Sequence, residues 1–333
     1  MRPERAGGLA PSRAAAATLG ALSLGIVGFG LLALSDSSQT RGEPLYGGRR
    51  HMPRGTDAEP SSIGPGRNLN LAAGTLALSV LLDSALEHYR GGFRNPVMYV
   101  PLAVASATLV TSLHAVASRR SGGRAARDPV YVVAALTGVV GTGFHVYNVL
   151  KRPGGLAWQN LFYGAPLGAP MAILLAGLLG RAAERVRDCH PGSAPKLLGL
   201  PAGRTVAAVG SIGILGTVGE AGLLHFRGAF HNPAMFLPVT VPPVAAGLLA
   251  HAALGPTGRQ CTFTTRWLQL TAILGFAGVG FHCCGVARNM GGWRNWRQNL
   301  LAGPPLPAPP AFTGLALAGL SALRLLEEER GHA

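Results

Sequence analysis

HYRGGFRNPVMY at residues 88–99 returns as HFRGAFHNPAMF at residues 225–236, identical at seven of twelve positions with an offset of 225 − 88 = 137. The same offset holds far from this pair. It carries GVVGTGFH (138–145) onto GFAGVGFH (275–282) and His114 onto His251, and the QNL at 159–161 meets the QNL at 298–300 after a two-residue insertion. A period kept across separated stretches marks a duplicated structural unit.

Around these motifs the chain is apolar. Its 333 residues are 48% hydrophobic and 13% charged, with 48 glycines, a balance outside the usual range of water-soluble domains. Apolar segments long enough to cross a hydrocarbon core recur at 14–34, 69–88, 97–117, 129–150, 164–180, 204–226, 233–254, 267–287 and 305–326, about nine in all. Backbone groups in lipid must pair internally, so these segments are expected to be helices. The fold class predicted is an all-α polytopic membrane protein made of two parallel, tandem four-helix repeats and an N-terminal helix. Residues 1–68 form the anchor helix and a polar linker, 69–187 the first repeat and 204–326 the second. Four crossings per copy give both copies the same orientation. Arg2, Arg5 and Arg13 precede the first apolar run as in a signal peptide, but its length and the lack of a small-x-small cleavage site favour a retained helix.

The net charge of +15 does not imply nucleic acid, because the arginines are scattered through short loops between apolar spans. Lipid headgroups and topology account for them. Cys189, Cys261, Cys283 and Cys284 have no CxxC spacing, which argues against a zinc ribbon or a disulfide framework. HExxH, GxSxG, P-loop and desaturase-type histidine boxes are absent, so no catalytic residue is assigned.

What the two copies share is histidine. His88, His114 and His145 match His225, His251 and His282, while Asp83 matches Glu220 five residues before the first histidine of each copy. Ionisable groups in membrane spans are costly, which makes these eight residues the metal-ligand candidates. His88 closes the helix entering the RGGFRNP loop, and His145 lies about 24 Å along a helix that starts on the opposite face. His88, His145, His225 and His282 should therefore cluster at one membrane face, with His114 and His251 at the other.

Gly138 and Gly141 stand seven and four residues before His145, and Gly275 and Gly278 do the same before His282, so each pair shares a helix face with a ring. Such a smooth face could admit a planar group. Haem b held by two imidazoles is the reading drawn from it, with Arg90 and Arg227 for the propionates and Asn95 and Asn232 as further donors. Helix packing is the alternative for the glycines, and a cap at the start of the next helix is the alternative for the Asn-Pro pairs. Five residues turn a helix by about 140°, so Asp83 and His88 do not form a simple chelate.

The leading expectation is a membrane redox subunit that binds haem b or a transition metal ion and passes electrons between a partner subunit and quinone. A non-haem metal enzyme using Asp83 and Glu220, and an ion or proton transporter, are the rival readings. Arg119, Arg120, Arg124, Arg127, Arg181, Arg185, Arg187, Lys196 and Arg204 weight one face toward the cytoplasm. This puts the four-histidine cluster on the outer side of a bacterial inner membrane.

Overall fold

A computed structural model describes residues 63–118, 123–189, 195–255 and 262–331. The expected first span, 14–34, lies outside the described residues. Six of the described helices are long and apolar enough to cross a membrane. These are α1 (Ile63–Arg90), α2 (Val100–Ala117), α3 (Arg124–Leu150), α6 (Ala202–Arg227), α7 (Leu237–Leu254) and α8 (Thr262–Arg288). Short helices α4 (Trp158–Tyr163) and α9 (Trp296–Ala302) lead into α5 (Gly168–Arg187) and α10 (Pro310–Gly331).

The expected spans 164–180 and 305–326 thus fall on α5 and α10, which are helical but not among the six. The reason is chemical. The last two turns of α5 carry Arg181, Glu184, Arg185 and Arg187, and α10 ends in Glu327, Glu328, Glu329 and Arg330. Both nevertheless supply much of the buried core, from Ile173 to Val186 and from Ala311 to Leu326. A two-residue hairpin, β1 (Lys196–Leu197) with β2 (Leu200–Pro201), links α5 to α6.

In the first half α5 packs on α1 and α3, and α2 packs on the same two helices from the other side, while α1 and α3 scarcely meet. α6, α7, α8 and α10 repeat this arrangement. The halves join where α10 lies along α1 and where α5 meets α6 over a shorter stretch. Glycine makes the tight contacts possible. A Cβ on Gly138 would lie 2.5 Å from the backbone of Leu174, and one on Gly177 would lie 2.5 Å from the Ala135 amide.

Matched residues make matched contacts across the junction. Arg90 Nη2 donates to the Leu301 carbonyl, and Arg227 Nη1 donates to the Phe162 carbonyl at 3.3 Å. Arg90 and Arg227 are related by 137, Phe162 and Leu301 by 301 − 162 = 139, the offset after the two-residue insertion. Each half reaches into the short helix of the other with the same residue.

One end of the first half holds a buried polar network without a counterpart among the described residues of the second. Glu184, with no exposed surface, accepts from Arg127 Nε at 2.8 Å and from Asn70 Nδ2 at 3.2 Å. Tyr131 donates to Asn70 Oδ1 at 2.8 Å and lies 3.2 Å from Ser112 Oγ. Arg187 donates to the carbonyls of Ala115 and Ser118 at the end of α2. By the same offsets the second half has Ala207, Leu249, Thr264, Leu268, Leu323 and Leu326 at these six positions. Arg127, Arg185 and Arg187 are therefore interior groups, and only part of the basic count used to orient the chain belongs to loops.

Candidate functional site

The RGGF turn begins with strained backbone. Gly92 takes φ +70° and Phe93 φ +46°, and the second copy repeats this with Ala229 at +55° and Phe230 at +46°. A left-handed phenylalanine costs of order 1–3 kcal/mol, and such strain tends to sit at functional positions. Here it sets the ring. Phe93 meets His88 edge-on at 6.1 Å between centroids and stacks on Tyr99 at 4.4 Å, while Phe230 meets His225 at 6.1 Å and stacks on Phe236 at 4.6 Å.

After the turn, Asn95 Oδ1 accepts from the Val97 amide at 3.0 Å, and Asn232 Oδ1 from the Ala234 amide at 2.9 Å. These asparagines cap short 3-10 turns at Pro96–Tyr99 and Pro233–Phe236. The capping alternative accounts for both Oδ1 atoms, and the donor role expected of these residues would fall to Nδ2. The turns have a second consequence, because they aim the carbonyls of Met98 and Met235 back at the preceding helix.

Those carbonyls receive the histidines. Nδ1 of His88 lies 2.5 Å from Met98 O, and Nδ1 of His225 lies 2.8 Å from Met235 O. On the diagonal helices, His145 Nδ1 bonds Pro166 O, and His282 Nδ1 lies 2.7 Å from Pro305 O. A carbonyl oxygen only accepts, so in all four rings Nδ1 is the donor and Nε2 is the nitrogen left outside that bond. This is the arrangement of a metal-ligating histidine, whose other nitrogen donates to a fixed acceptor that sets tautomer and orientation.

The four rings divide into two pairs. His145 is within electrostatic reach of His88, and His282 of His225. Each pair joins α1 to α3, or α6 to α8, the diagonal helices that scarcely pack on each other. All four imidazoles are half-buried. His114 and His251, at the far ends of α2 and α7, are exposed and make no side-chain hydrogen bond with the described residues. They stand apart from the two pairs.

Asp83 and Glu220 come within electrostatic reach of each other where the two halves meet. Their surroundings differ. Glu220 Oε1 accepts from the Gly168 amide at 3.0 Å, whereas the residue matching Gly168 is Pro307, which has no N–H. Asp83 accordingly makes no hydrogen bond with the described residues, and Pro307 offers its carbonyl to Ser79 Oγ. Among the described residues no three His, Cys, Asp or Glu side chains gather as a metal-binding group.

The glycine face does exist, but its occupant is protein. A Cβ on Gly141 would lie 3.1 Å from Pro170 Cβ, one on Gly278 2.7 Å from Pro309 Cβ, and one on Gly275 would strike Thr313. His145 and the glycines face the same way because Pro166 lies just before α5 and Pro170 and Leu174 lie in its first two turns. Protein atoms lie against Gly138, Gly141, Gly275 and Gly278, which supports the packing alternative for the smooth stripe. Arg90 and Arg227, expected to meet propionates, instead clasp the opposite half. Arg90 also pairs with Glu87 at 2.6 Å, and Arg227 lies 4.6 Å over the Tyr163 ring.

The seam yields a prediction. Gly138→Leu forces α3 away from Leu174 and should cost at least about 1–3 kcal/mol of stability, measured as a lower melting temperature with and without added cofactor. No decrease would return the glycines to a ligand role.

No protein family, characterised protein or solved structure matches this chain. The reading of its chemistry rests on the residues themselves.

Proposed function

We propose that the chain is a membrane redox subunit built of two parallel four-helix units. Each unit holds one haem b through two axial imidazoles, His88 with His145 and His225 with His282. The observation that carries this reading is the common state of the four rings. In each, Nδ1 is bonded to a backbone carbonyl, an arrangement that turns Nε2 into the candidate ligand atom.

Haem suits this donor set better than a bare ion. Structural zinc sites take four protein ligands and catalytic ones three, whereas a porphyrin supplies four nitrogens of its own and asks the protein for two. Each unit offers two imidazoles from two helices. Bound haem would supply a one-electron carrier at each pair. The chain supplies fixed imidazole orientation through the carbonyl acceptors, a Phe93 or Phe230 edge against one ring, and an apolar bundle that limits water access. A partner protein and quinone are the proposed donor and acceptor.

One observation favours a second reading. Asp83 and Glu220, one carboxylate from each half, lie within electrostatic reach of each other, and like charges so placed repel. A proton-handling protein without a cofactor would use that pair, with the histidines as its neighbours.

Absorbance of the purified protein separates the two readings. A Soret band with low-spin character supports the haem subunit. Protein that neither contains haem nor takes it up on reconstitution contradicts it.

A further inference from the structure

We infer that the junction between the two units carries a binding site for the phosphodiester of an anionic membrane lipid, formed by Arg90 and Arg297. The two short-helix junctions use matched backbone contacts but different side chains. At one, Phe226 stacks on Phe162 at 5.8 Å, Phe162 stacks on Trp158 at 5.5 Å, and Arg227 covers Tyr163. Aromatic rings fill that space.

At the other junction the matching positions are Tyr89 for Phe226, Leu301 for Phe162 and Arg297 for Trp158. The space stays open there as a groove of about 580 Å³ lined by Arg90, Asn295, Arg297, Gln298, Leu301 and Ala302. Arg297 Nη2 donates to the Tyr89 hydroxyl at 2.6 Å, which holds its guanidinium at the groove. Arg90 is held by the Leu301 carbonyl and by Glu87.

Charge selects the ligand. Two guanidiniums and the Glu87 carboxylate sum to +2 − 1 = +1, the complement of a singly charged phosphodiester. Guanidinium forks suit phosphate oxygens, and Asn295 and Gln298 add polar edges. Depth selects the source. α1 is one of the six membrane-length helices and ends at Arg90, so the groove opens where headgroups lie, and Leu301 with Ala302 gives an apolar floor for the start of the acyl chains. At the other junction Leu224 stands in place of Glu87 and Trp158 in place of Arg297, Arg152 is held on the Tyr163 carbonyl at 3.0 Å, and aromatic rings fill the space, so one such site per chain is expected.

The test is native mass spectrometry of the full chain in detergent with phosphatidylglycerol added. Wild type should retain one phosphatidylglycerol, and Arg297→Gln should reduce its occupancy about tenfold, the loss of one charge-assisted contact. Tyr89→Phe, which frees Arg297 without removing charge, should reduce it less. Arg94→Gln, an exposed cation outside the groove, should leave it unchanged. Equal losses in Arg94→Gln and Arg297→Gln would reduce the effect to general charge attraction and overturn the site. Displacement by millimolar inorganic phosphate would identify a soluble phosphate ligand and overturn the lipid assignment, as would equal retention of phosphatidylcholine.

Discussion

Glu184→Ala is expected to destabilise the protein by about 3–5 kcal/mol, the cost of removing one partner from a buried ion pair. Glu184 has no exposed surface, Arg127 is 6% exposed, and their closest approach is 2.6 Å. The substitution takes away the carboxylate that neutralises Arg127 and the acceptor that holds Asn70. The second half shows what the same backbone does without the network. Replacing all six residues by their counterparts, Asn70→Ala, Ser112→Leu, Arg127→Thr, Tyr131→Leu, Glu184→Leu and Arg187→Leu, should restore stability to that of the wild type or above it, because apolar substitution of a whole buried ionic group is often neutral or stabilising. Thermal unfolding in detergent reads both. A sixfold variant less stable than Glu184→Ala would mean that the network, and not its completeness, holds the first half together.

The contrast also explains what could be read from the sequence. Residues kept in both copies stand out at one offset, and this filter found the histidines, the Asn-Pro pairs and the carboxylates. It discards by construction anything present in one copy only, so Asn70, Arg127, Tyr131, Glu184 and Arg187 stayed hidden. Backbone acceptors are hidden for another reason: Met98, Pro166, Met235 and Pro305 take part through carbonyls, which residue identity does not reveal. Phe93 and Phe230 were visible as a matched pair, but only the left-handed backbone at both places shows that the turn presses a ring against each histidine.

The glycines show the limit of helical periodicity. Counting back four and seven residues from His145 identified the correct face of α3, and the same count could not say what lies against it. α5 fills that face, and just before it the Pro166 carbonyl accepts the hydrogen bond of His145 Nδ1. Helix packing and ring orientation are therefore one arrangement. Six membrane-length helices are described where about nine spans were expected, because α5 and α10 end in charged turns and residues 14–34 lie outside the described residues.

His145→Ala should remove one of two bound haems, and His145→Ala combined with His282→Ala should remove both. The two pairs sit in separate units, with no histidine shared between them, so each loss should be independent. A haem left with one axial imidazole loses its low-spin spectrum even where it is not released. His114→Ala, at an exposed ring far from both pairs, should change neither the content nor the spectrum. Pro166 cannot be tested through its side chain, but Phe93→Ala can be, since it removes the edge contact on His88 and leaves Met98 O in place. Its expected result is retained haem with a shifted midpoint potential in the first unit.

Titration of haem into cofactor-free protein, followed at the Soret band, tests the central claim most directly. The predicted result is a low-spin spectrum with a break at two haems per chain in the wild type and at one in His145→Ala. A titration with no break, or one unchanged by His145→Ala, would contradict it.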